Sequence, residues 1–115
     1  MINGFEQYTQ PLDDYERDVI LPLLVRGLKT KIGKQQAIKN EAMISALKTR
    51  GLQKINPARI RKIINHIRVN GLIRNLVASS NGYYIETNLE ERRKYVESIK
   101  QRASAMLAGL NHIDI

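Results

Sequence analysis

The sequence predicts a mainly α domain of the α+β class, with three helices around one core, a β-hairpin after them and a long helix at the C-terminal end. Three observations carry this reading. Ile60, Ile63, Ile64 and Ile67 recur at i, i+3, i+4 and i+7, the spacing of one buried face of a helix. Asn81-Gly82 stands between two runs that mix aliphatic and aromatic residues, a short-range hairpin signal. Beyond Asn88, the residues Val96, Ile99, Ala103, Met106 and Leu110 step in threes and fours, as in a short heptad seam. A chain of 115 residues holds one such domain and an appendage. The reading divides it into an arm (1–12), a domain (13–87) and a C-terminal helix (88–115).

Taken in order, residues 1–12 lack periodicity, and Phe5, Tyr8 and Leu12 are expected to pack as an arm over a neighbouring surface. Asp13 is read as the N-cap of a helix running to about Lys31, with acids in its first turn and Arg26, Lys29 and Lys31 near its end, as the helix dipole prefers. Pro22 should kink or split that helix, and Gly33 should stop it. Gln35 to Lys39 reads as a small edge strand. Asn40 is then expected to cap a second helix, Glu41 to Arg50, whose Met43, Ile44 and Leu47 share one face and which ends at Gly51. Asn56 and Pro57 open the third helix with a cap followed by proline at the first helical position, and Gly71 closes it. Asn88 caps the last helix, from Leu89 to about Leu110. Tyr83 and Tyr84 are neighbours on a strand and point to opposite faces, so at least one belongs to the core.

Charge is distributed in blocks. Residues 1–25 carry a net −4, residues 75–115 balance, and the segment from Arg26 to Arg74 has thirteen Lys or Arg against the single acid Glu41. A block of +12 suits a polyanion, because cations that neutralise phosphates release condensed counterions. An ordinary exposed helix mixes signs, whereas no acid lies between Ile55 and Arg74.

The stretch NEAMISALKTRGLQKINPARIRKIINHIRVNGLI supplies a capped helix, a turn containing Gly51 and a second capped helix, and RNLVASSNGYYI follows it. Together these resemble a winged helix-turn-helix domain of the type used by bacterial and phage DNA-binding proteins. The resemblance covers residues 13–87, and its turn is longer than that of the tightest helix-turn-helix form. It implies a recognition helix at residues 57–70, with the hairpin as the wing. The C-terminal helix resembles those added to dimeric winged-helix regulators, so Val96, Ile99, Ala103, Met106 and Leu110 are expected to form a homodimer seam. Packing of that seam against its own domain is the alternative.

A wheel turned at about 100° per residue leaves Ala58, Lys62, Asn65 and Val69 opposite the isoleucines, with Arg61 and Arg68 to one side and Arg59 and His66 to the other. Arg and Lys donate to guanine or phosphate and Asn pairs with adenine, so Arg59, Arg61, Lys62 and Asn65 are expected near bases, with Arg68 toward phosphate. Lys48, Arg50 and Lys54 are expected to clamp phosphates, and Ser80 and Asn81 to touch the backbone from the wing tip. His66 reads as a surface group. The expected partner is double-stranded DNA and the expected role is transcriptional regulation, of a phage or mobile element in one version. Docking on an acidic protein surface and binding of structured RNA are the alternatives.

Enzymatic signals are absent. With no cysteine and only two histidines, His66 and His112, no disulfide, metal site or other cofactor is expected. The stretch GLKTKIGKQ fails as a phosphate loop, since five residues separate Gly27 from Gly33 where the motif has four and Gln35 replaces its Ser or Thr. The longest apolar run, Val19 to Val25, is broken by Pro22 and too short for a membrane span, and no secretory signal is read. A cytoplasmic protein is the expectation.

Overall fold

A computed structural model describes residues 10–114. Among the described residues the chain is mainly helical, with a small two-stranded antiparallel sheet. Helix α1 covers residues 14–28 and contains a π-type turn, Glu16–Ile20, followed by the α-helical Leu21–Leu28. A single 3-10 turn, Lys34–Gln36, leads to α2 (Asn40–Thr49) and α3 (Pro57–Val69). Strands β1 (Leu76–Ser79) and β2 (Gly82–Ile85) form the hairpin, and α4 (Leu89–Leu110) follows.

The start of α1 follows from its sequence. The Asp13 carboxylate accepts from the Glu16 N–H at 2.8 Å, and the Glu16 carboxylate accepts from the Asp13 N–H at 2.9 Å, the reciprocal pair of a capping box. The helix then runs through Pro22 without splitting. Proline lacks an N–H and its ring crowds the carbonyl four residues back. The chain meets this by widening the preceding turn, where the Leu21 N–H reaches back five residues to Glu16. The helix ends at Leu28, short of Lys31.

The other boundaries agree with the sequence except in three places. Asn56 accepts from the Arg59 N–H at 2.8 Å and Asn88 from the Glu91 N–H at 3.0 Å, so both cap as expected. Asn40 does not cap. Lys39 occupies that position, its carbonyl taking the first helical bonds, while the Asn40 amide donates to the Pro57 carbonyl and ties the starts of α2 and α3 together. Gln35–Lys39 is not a strand. The 3-10 turn intervenes, and only isolated bridges form, Ile32 with Ile85 and Ile38 with Tyr83. The hairpin loop is Ser80-Asn81, with Gly82 already paired to Ser79 as the first residue of β2. Of the expected arm, Leu12 packs against the core, while Phe5 and Tyr8 lie outside the described residues.

One core holds the body together. Ile20, Leu24 and Leu28 from α1, Met43 and Leu47 from α2, and Ile60, Ile63, Ile64 and Ile67 from α3 are all buried, joined by Ile73 and Leu76. Four of the fully enclosed side chains are the α3 isoleucines, so α3 is the central element. Tyr84 enters the buried set and Tyr83 is half-buried. Burial raises the Tyr84 hydroxyl above the ordinary tyrosine value, with the nearby Glu86 carboxylate adding to the effect.

The hairpin is clasped on its outer edge by the segment after α1. Ile38 and Tyr83 exchange two backbone hydrogen bonds of 2.9 and 3.0 Å, the Gly33 N–H donates to the Ile85 carbonyl, and the Ile85 N–H donates to Lys31. This approach requires Gly82. Its φ is +115°, and a Cβ there would stand 2.3 Å from the Ile38 carbonyl oxygen. Gly82→Ala should therefore destabilise the fold by more than about 2 kcal/mol. Gly71→Ala, at φ +64° but facing open space, should cost only about 1 kcal/mol. Urea midpoints of the two variants check this, and equal losses would contradict the clasp.

Candidate nucleic-acid interface

The expected recognition residues divide into two groups, and the divider is Glu16. Its side chain is 3% exposed, on the same stripe as Ile20 and Leu24 at successive fours. There the Arg59 Nε donates to Oε2 at 2.9 Å and the Lys62 ammonium donates to Oε1 at 2.7 Å. Arg59 also donates to Asp13 at 2.6 Å and to the Lys54 carbonyl at 2.8 Å. Arg59 and Lys62, both expected on the outer face, are thus turned inward, with side chains 19% and 13% exposed. Two cations facing two carboxylates contribute almost no net field at the surface.

Burial pushes the Glu16 carboxyl up, but the hydrogen bonds from Lys62, the Asp13 N–H and Arg59 outweigh it and hold the group below the ordinary glutamate value. Asp13 is lowered as well, first by the hydrogen bond from the Glu16 N–H. For Arg59, burial alone would ease loss of the proton, and the bonds to Asp13 and Glu16 overcome it and raise the pKa.

The second group lies on the other flank of α3. Arg61 and Arg68 are exposed and Asn65 is half-buried, and with Ile64 they line a shallow cleft against Tyr83 of β2. The spacing 61, 65, 68 puts the three on one strip of the helix. Arg68 is held in place, since its guanidinium donates to the Tyr95 hydroxyl and lies 5.7 Å from the centre of that ring. His66 is half-buried and its ring Nδ1 lies 3.3 Å from the Asn70 amide nitrogen.

The expected phosphate clamps do not share one cleft. Lys48 is exposed on α2. Lys54 is exposed in the turn after it, at φ +59°, beside Tyr15, Gln53 and Arg59. That turn is braced by Tyr15, whose hydroxyl donates to the Gln53 carbonyl at 2.9 Å and whose ring sits 5.3 Å from the Arg59 guanidinium carbon. Arg50 lies elsewhere, with Arg26 and Lys31 around an apolar groove between α1 and α2. Ser80 and Asn81 are exposed at the hairpin tip, where the Asn81 N–H donates to the Ser79 hydroxyl.

Two participants escaped the sequence reading. Glu16 was visible only as an acid in a first turn, although its four-residue spacing from Ile20 and Leu24 marks it as inward-facing. Tyr95, which receives Arg68, sits in a charged run with no pattern to distinguish it.

No family model, no curated protein and no solved structure matches this chain.

Glu16→Gln removes the charge that Arg59 and Lys62 face and should cost about 3 kcal/mol, the scale for breaking a buried ion pair. Because the folded carboxyl titrates below its ordinary value, its contribution is complete above that value and is lost as pH falls through the lower folded one. The gap between wild type and Glu16→Gln should therefore be widest near neutrality and narrow in acid. Denaturation midpoints from pH 7 down to 3 test this, and a gap independent of pH would refute it.

Proposed function

We propose that the chain binds double-stranded DNA, reading the major groove with α3, and acts as a transcriptional regulator in the cytoplasm. The observation that carries the reading is the strip of Arg61, Asn65 and Arg68 on α3, exposed or half-exposed within the +12 block and set against the hairpin. Guanidinium groups donate to guanine O6 and N7 or to phosphate, and a carboxamide pairs with adenine, so this mix offers both affinity and sequence readout. The order of helix, bridging segment, helix, helix and hairpin, with the antiparallel bridge between Ile38 and Tyr83, supports a winged helix-turn-helix arrangement.

In this reading Arg61 and Asn65 meet base edges, Arg68 meets base or phosphate, and Lys48 and Lys54 contact the backbone. Ser80 and Asn81 form a short polar wing tip that hydrogen-bonds phosphate. Arg59 and Lys62 serve instead to hold α3, through Glu16, in its docking orientation. No helix among the described residues is long and apolar enough to cross a membrane.

Titration of labelled random duplex DNA at two salt concentrations should give binding that weakens steeply as salt rises, because each phosphate contact adds about 0.9 to the log–log slope. Arg61→Ala with Asn65→Ala should lower affinity at least about tenfold, on the scale of 1–3 kcal/mol per base contact. Lys100→Ala with Arg102→Ala, on the distant part of α4, should change it little. Absence of binding at low salt, or equal losses in the two double variants, would overturn the reading.

A further inference from the structure

Helix α4 is the longest helix among the described residues, and none of its 22 residues is buried. Its base is anchored. Arg92 donates to the carbonyls of Glu86 and Thr87, and the Tyr95 hydroxyl accepts from Arg68 and from the Ala78 N–H. Beyond Tyr95 the helix leaves the body, and its apolar side chains stand open. Val96, Ile99, Met106, Leu107 and Leu110 of the helix, and Ile113 just past its end, are between 39% and 68% exposed.

Charge divides this helix into two parts. Glu90, Glu91, Arg92, Arg93, Lys94, Glu97, Lys100 and Arg102 crowd the part up to residue 102, whereas the rest of the helix and residues 111–113 after it carry no Asp, Glu, Lys or Arg at all. An acidic or basic protein partner would find nothing to complement on that tip. A membrane surface would be met by an interfacial helix with cations along its polar face, and the tip has none. A second copy of the tip has the same uncharged surface, and a two-fold interface needs only a patch that complements itself.

We infer that two copies of the chain pair in parallel along α4, through Val96, Ile99, Ala103, Met106 and Leu110, with their charge-free tips side by side. The heptad phase places Val96, Ala103 and Leu110 at a, and Ile99 and Met106 at d. In parallel register the flanking Arg102 faces the partner copy's Leu107 and Lys100 faces the partner copy's Tyr95, so neither flanking pair is like-charged. Arg92, at the d position before Val96, would stand opposite its own copy, but its guanidinium is held by the Glu86 and Thr87 carbonyls of its own chain. An antiparallel pair of full overlap would lay the charged first part, with Arg92 on the seam, against the apolar tip. A short antiparallel overlap at the tips alone would leave Val96 and Ile99 open. The large apolar side chains of the seam and the flanking Leu107 expose on the order of 500 Å² per copy, so pairing covers at most on the order of 1,000 Å², the threshold of a specific interface. The pairing stands on α4 alone and needs no DNA.

The chain has no cysteine, which makes the register directly readable. Ile99→Cys and Met106→Cys, prepared as separate variants and oxidised without DNA, should each give a disulfide-linked dimer, because in a parallel pair every seam residue lies opposite its own copy. Sedimentation equilibrium of the wild type should show a concentration-dependent dimer, and Met106→Asp with Leu110→Asp should be monomeric with unchanged circular dichroism. Crosslinking at one position only would signify an antiparallel pair and overturn the inference. So would crosslinking at neither, a monomeric wild type at 100 micromolar-scale loading, or a monomer that co-sediments with vesicles of anionic phospholipid. A dimer that ignores duplex DNA would uphold the pairing while removing the DNA reading.

Discussion

A carboxylate in the core is the constraint on which the rest depends. Taking a carboxylate out of water costs several kcal/mol, and it is tolerated only where strong partners surround it. Glu16 meets that condition because Arg59 and Lys62 reach it from α3 and the Asp13 N–H reaches it from its own cap. The acidic first segment and the basic middle segment are therefore coupled inside the molecule. The bridge spans more than forty residues of chain and sets how the start of α1 lies on the start of α3.

Two consequences extend from that contact. The residue before Glu16, Tyr15, braces the turn between α2 and α3 and faces the Arg59 guanidinium, so the same few side chains shape the approach to α3. Drawing Arg59 and Lys62 inward also moves the exposed polar strip of α3 round to Arg61, Asn65 and Arg68. That strip borders the hairpin, whose position is set independently by the backbone clasp of Ile38 on Tyr83 and the missing side chain at Gly82. Rigid elements on both sides of the cleft are what a site reading a stiff duplex would need.

Helix α4 answers to different physics. Arg92 and Tyr95 attach its base with polar contacts, and no apolar side chain of its own is buried against the body. Val96, Ile99, Ala103, Met106 and Leu110, expected from the sequence to form a seam, stand exposed to solvent rather than packed on their own domain.

Residue by residue, the sequence determined what local rules govern. Caps at Asn56 and Asn88, proline at the first position of α3, the isoleucine stripe and the hairpin follow from hydrogen-bonding and periodicity within a few residues, and the block of positive charge is composition alone. Where local rules competed with tertiary ones, the tertiary structure decided. Asn40 gave up its cap to reach Pro57, and the segment around Gln35 became a turn because only Ile32 and Ile38 meet β2. A helical wheel ranks side chains by angle from an apolar stripe and cannot know that a distant glutamate lies beside that stripe. On the wheel Arg59 and Lys62 face outward for that reason, and the long-range pairing with Glu16 turns them in. Which cations of α3 face outward is thus a property of how α1 packs on it, whereas the cationic character of the helix is written in its residues.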